Sequence, residues 1–178
     1  MLNTKNNFDN DYTFLATPSD ILSVQEGRGN KKNHIGETYA SFKHKFQDND
    51  SWISSFEDIK VIESKDLSIL SDNLVGKVVV FDKDDLVALN KMFIESNLPE
   101  IDMSRVIVIQ EWAAKYEDNK YNSLYDFVIS AGILSSNGAS VDEEFGGFSS
   151  KLICEAFLFL RGVEEQILIF GNEDKNAA

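Results

Sequence analysis

Two carboxylates separated by one residue at the end of a hydrophobic strand are the most enzyme-like feature of this chain. Asp82 and Asp84 have this spacing, directly after Lys77-Val78-Val79-Val80-Phe81. Carboxylates can attack as nucleophiles, deliver protons and hold a divalent metal ion. The same residues suit a second role. Acids at the start of a helix accept its unpaired N–H groups and complement its dipole. Leu86, Leu89, Phe93 and Ile94 recur on one helical face immediately afterwards. Capping is therefore the expected role of Asp82, Asp84 and Asp85.

The strand ending in D-x-D resembles the first motif of the haloacid-dehalogenase-type phosphatases. The resemblance covers only these few residues, and it implies Asp82 as nucleophile, Asp84 as general acid and magnesium as cofactor. The sequence departs from that pattern in three ways. The motif lies at the middle of the chain, Asp85 and Leu86 stand where Gly/Thr-type residues are usual, and no later strand ends in an acidic pair. The next strand instead runs into Gln110-Glu111-Trp112. A small Mg-dependent hydrolase or phosphotransferase using Asp82 and Asp84 is thus the alternative reading.

Other reactive types are sparse. Gly27-Arg28-Gly29 with Lys31 and Lys32 would expose backbone N–H groups and positive charge to an anion. Its spacing matches neither the P-loop nor the dinucleotide fingerprint, and it follows a helical segment. A solvated basic loop over 27–36 is the expectation. His34 and His44, with the single Cys154, match no zinc spacing. His44, between Phe42 and Phe46, reads as a half-buried structural residue, and Cys154 as a small buried thiol. No serine lies in G-x-S-x-G. No catalytic residue, metal or cofactor is expected.

Binding is better represented. Asp142-Glu143-Glu144-Phe145-Gly146-Gly147-Phe148 joins three acids to two aromatics, inside a predicted loop over 135–148. Acids steer a basic partner, and exposed aromatic rings anchor it. Glu111, Glu117 and Asp118 form a second acidic group after the second predicted strand. The competing reading has Phe145 and Phe148 in the core and the acids merely solvated. These eight residues are the predicted partner-binding set.

Charge sets the kind of partner. The chain has 178 residues and a formal net charge of −13. Residues 1–50 hold six Lys/Arg against seven Asp/Glu, and residues 51–178 hold eleven against twenty-three. Such an excess repels nucleic acid and anionic membrane and attracts basic surfaces. The expected function is non-catalytic: an acidic inhibitor or immunity-type antidote covering a basic protein such as a toxin nuclease. Bacterial immunity proteins share this profile of size, acidity and missing motifs. A regulatory subunit burying Trp52 or Trp112 is a further alternative. The polar N-terminus carries no secretory pattern and no apolar run approaches a membrane span, so a cytoplasmic location is expected.

These residues need a scaffold, and the pattern predicts one α/β (or α+β) domain over 1–178: a small mixed, partly parallel sheet flanked by helices. With 43% hydrophobic residues the chain can bury a core. Residues 1–11 and 172–178 read as disordered tails. Thr17-Pro18-Ser19-Asp20 reads as a helix start, with the helix ending near Gly27. Residues 37–46 fit helix or strand. Trp52, Ile53, Phe56 and Ile59 fit a short helix, and Val61-Ile62 a short strand. Strands are expected at 77–81 and 105–110, joined by a helix as a parallel crossover. A helix with Tyr121, Leu124, Tyr125 and Val128 inward should end near Gly132. Ser149 or Ser150 should cap a buried helix over 151–161 closed by Gly162, before a last strand at 166–170. A hairpin of 156–161 with 166–170 is the rival arrangement.

Overall fold

The computed structural model describes residues 11–29, 38–46, 61–116, 121–134 and 145–177, and within the last segment the side chains of 147–167. Its strands are β1 (Asp11–Ala16), β2 (Tyr39–Lys45), β3 (Ile62–Ser64), β4 (Lys77–Val80) and β5 (Val106–Val108). Its helices are α1 (Pro18–Gly27), α2 (Leu67–Asp72), α3 (Lys83–Glu95), α4 (Ile109–Ala113), α5 (Leu124–Ser130) and α6 (Phe145–Ala177). The strands form one mixed sheet in the order β3-β2-β1-β4-β5. β1 runs antiparallel to β2 and parallel to β4, and β4 runs parallel to β5. The expected α/β architecture, partly parallel and flanked by helices, is the one observed.

The pleat divides the core in two. Phe14, Ala16, Phe42, Val79 and Phe81 lie on one face, beneath α1, α4, α5 and α6. Leu15, Tyr39, Val78, Val80 and Val108 lie on the other, beneath α2 and α3. Burial on both faces explains why β4 reads as an unbroken apolar run. β1 lies at the centre, with Phe14, Leu15 and Ala16 wholly buried. The sequence pattern marks no strand there. The segment is short, follows an Asn/Asp-rich stretch and runs directly into the helix start at Thr17.

Long-range pairing settles the stretch that fitted helix or strand as a strand over Tyr39–Lys45, since β2 pairs with both β1 and β3. β5 is shorter than the 105–110 expected. A 3-10 turn (Met103–Arg105) precedes it and α4 follows at once. The Gln110 N–H nevertheless donates to the Phe81 carbonyl at 3.0 Å, extending the contact past the strand end. The helix expected from Trp52, Ile53, Phe56 and Ile59 lies outside the described residues.

The largest correction concerns the C-terminal region, where α6 occupies 33 residues. Phe145–Phe148 belong to its first turns instead of a loop. Ser149 and Ser150 are buried inside it and do not cap it, and Gly162 does not end it. The strand expected at 166–170 and the tail expected from 172 are both helical backbone, through Ala177. Leu152, Ile153, Ala156, Phe157 and Leu160 recur at helical spacing and pack on the sheet. Phe157 lies 5.1 Å from the Tyr12 ring, 5.6 Å from Phe14 and 5.7 Å from Trp112. A uniformly apolar run hides its period, and helical backbone pairs internally without needing a sheet edge.

Candidate functional site

Because β1 and β4 are parallel neighbours, the helices that follow them start side by side. Thr17 caps α1 in a capping box: the Asp20 N–H donates to Thr17 Oγ1 at 3.4 Å, and the Thr17 N–H donates to Asp20 Oδ2 at 3.0 Å. Thr17 Oγ1 then donates to Asp85 Oδ2 of α3 at 3.0 Å. One hydroxyl therefore joins the amino ends of two helices lying on opposite faces of the sheet. Asp82 caps α3, accepting the Asp84 N–H at 2.9 Å.

Asp20 is 3% exposed. Burial pushes its carboxyl up to about 7; the Thr17 N–H opposes the rise, and the charge of Asp85 adds to it. The Asp85 carboxyl is also raised, first by burial, with the Thr17 hydroxyl opposing and the charges of Asp82 and Asp84 adding. These carboxyls are thus engaged in capping and in crowding one another. Among the described residues, no three His, Cys, Asp or Glu side chains are placed to hold a metal ion.

The predicted partner-binding residues divide into three groups. Glu111 is exposed on α4. Phe148 is half-buried against the core below α6, with the Arg28 guanidinium 5.7 Å from its ring centre. Phe145 opens α6, and its side chain lies outside the described residues, as do Glu117, Asp118, Asp142, Glu143 and Glu144. The amino end of α6 receives an acid from a distant strand: the Gly147 N–H donates to Glu63 Oε1 of β3 at 3.0 Å. An anion here complements the helix dipole.

The remaining candidates are placed as follows. His44 is half-buried, edge-on to the Phe46 ring at 4.6 Å. Cys154 is buried, and burial pushes its thiol far above the ordinary range. Gly27 ends α1, where a Cβ would lie 2.3 Å from the Tyr125 ring. Gly29 has φ +79°, and residues 30–36 of the basic loop lie outside the described residues. Trp112 packs at the edge of the chain's own core, and Trp52 lies outside the described residues. No helix among the described residues is long and apolar enough to cross a membrane.

The opposite end of the parallel strands holds a feature that no motif announced. A cleft of about 200 Å³ opens where α2 and α3 end and β4 begins. Leu74, Val78, Phe93 and Ile101 form its apolar lining; Glu100, Asp102 and Arg105 supply its charges. The Asn90 side-chain carbonyl accepts the Ile101 N–H at 2.7 Å and so pins the wall to α3. The Arg105 guanidinium donates to the Gly76 carbonyl. Its residues are scattered from 71 to 105, a spacing that belongs to no recognisable pattern.

No protein family, no curated protein and no solved structure matches this chain.

Proposed function

We propose that this protein is a non-catalytic acidic binder that covers and blocks a basic partner protein, in the manner of an immunity protein covering a toxin nuclease. The observation that carries this reading is the acid excess: a net charge of −13, concentrated in residues 51–178. Glu95, Glu100, Asp102, Glu111, Glu164 and Glu165 are exposed. Asp20 and Asp85, by contrast, are engaged with Thr17. The proposed contact set is Glu111, Glu117, Asp118, Asp142, Glu143 and Glu144, with Phe145 and Phe148 at its apolar margin. Exposed acids accelerate encounter with a basic surface and exclude partners of like charge.

The test is capture of a basic protein partner at low ionic strength, followed by association kinetics across a salt series. The association rate should fall steeply between low and physiological salt, where the screening length shrinks to about 8 Å. Neutralising Asp142, Glu143 and Glu144 together should slow association about tenfold with little change in melting temperature. A complex whose on-rate ignores both salt and this triple substitution would refute the reading.

A further inference from the structure

We propose that the cleft at the amino end of β4 receives a lysine side chain of the basic partner, its methylene stem on Leu74, Val78, Phe93 and Ile101 and its ammonium between Glu100 and Asp102. The identity of the partner rests on the function proposed above; the chemistry of the cleft rests on its own geometry.

Size comes first. At about 200 Å³ the cleft is smaller than pockets for cofactors and drug-sized ligands, which run from about 300 to 1,000 Å³. It matches a single side chain. Its composition then selects which one. The floor belongs to the core beneath α2 and α3, where Val78, Phe93 and Ile101 are buried and Leu74 packs against them. A long apolar stem can lie on that floor while a polar head stays at the rim, as lysine does on mixed surfaces.

The rim favours a cation. It carries two carboxylates, Glu100 and Asp102, against one guanidinium, Arg105. Asp102 accepts the N–H and O–H of Ser104 at 3.0 and 2.6 Å, both on Oδ1, which leaves Oδ2 for a further donor. Those bonds, with the nearby Arg105, hold its carboxyl below the ordinary range, so it stays ionised. Arg105 itself is turned to the Gly76 carbonyl. Phe93 lies in the last turn of α3, a 13-residue helix with no basic residue in that turn. The helix dipole makes this end favour positive charge, while its Met92, Phe93 and Ile94 carbonyls already accept the N–H groups of Ser96, Asn97 and Leu98. A carboxylate guest would meet this helix end and two acids.

The experiment uses the full chain with labelled methyl groups on Leu74, Val78 and Ile101, read by NMR. The probes are lysine capped at both termini, the same molecule acetylated on Nζ, and pentanoate. Capped lysine should shift these methyls saturably with a Kd in the millimolar range, as expected for one side chain without its protein. Nζ-acetylation should abolish the shifts, and Glu100→Gln should weaken binding several-fold while leaving the melting temperature unchanged. Equal shifts from the acetylated probe, stronger shifts from pentanoate, or none from capped lysine at high millimolar concentration would each overturn the proposal. No partner is present in this measurement. Its failure would remove the lysine site and leave salt-dependent partner binding standing, whereas a salt-insensitive complex would leave the lysine site standing.

Discussion

The two ends of the parallel strands use acidic residues in opposite ways. At the carboxyl ends of β1 and β4, Thr17, Asp20, Asp82 and Asp85 satisfy helix N–H groups and one another. At the amino end of β4, Glu100 and Asp102 border a cleft, with Arg105 on the same rim, beside helices whose last turns hold no basic residue. Carboxylates beside helix amino ends are internally compensated, whereas those beside carboxyl ends add to a negative pole. The acids of the motif thus make hydrogen bonds within the chain, while the acids without a motif are the ones proposed to bind.

Substitutions should separate the two ends by what they change. The largest effect is expected at Gly76, the turn into β4. It has φ +62°, and a Cβ there would lie 2.0 Å from the Asp11 carbonyl oxygen. Gly76→Ala should cost about 3 kcal/mol or more, read by denaturant unfolding, because strain and overlap act together. It should also distort the cleft that Gly76 helps to line.

Asp20 carries a pH signature. Its folded-state carboxyl is raised to about 7 from an ordinary value of 3.8. Between those values the unfolded chain releases a proton that the folded chain retains, so stability falls as pH rises, and the loss is complete above about 7. Asp20→Asn keeps an acceptor for the Thr17 N–H and removes the charge. It should raise stability at pH 8 by about 2–4 kcal/mol and leave it nearly unchanged at pH 3.5. Equal effects at both pH values would break the contrast between a crowded carboxyl end and an open amino end.

Thr17→Ala should cost about 1–2 kcal/mol, through loss of the α1 cap and of the bridge to Asp85. The smallest stability effect belongs to Glu100→Gln, within about 0.5 kcal/mol. Glu100 is exposed, and its substitution should be visible only in lysine binding.

Local chemistry made much of the scaffold legible. Thr17-Pro18-Ser19-Asp20 announces the start of α1, and the capping box is present as the residue types require. The β-branched run at 78–80, the acids at 82–85 and the apolar positions of α3 announce β4, a cap and an amphipathic helix. Each of these depends on contacts within a few residues. β1 was illegible because its identity lies in its neighbours: Phe14 opposes Phe42 on one side and Val79 on the other. Residues 166–170 were misleading because apolar, β-rich composition is compatible with a helix whose backbone pairs internally.

The candidate sites follow the same division. Asp82 and Asp84 can be weighed as cap or catalyst from their spacing, and the hydrogen bond at 2.9 Å shows Asp82 capping α3. The charge of −13 and its uneven distribution are properties of the chain alone. They are the ground on which a basic partner is proposed, and net charge does not depend on how the chain folds. Tertiary structure alone decided which acids are exposed and which are engaged. It brought Leu74, Val78, Phe93, Ile101, Glu100 and Asp102 around one cleft, since residues from a helix, a strand and two loops become neighbours only when the sheet assembles.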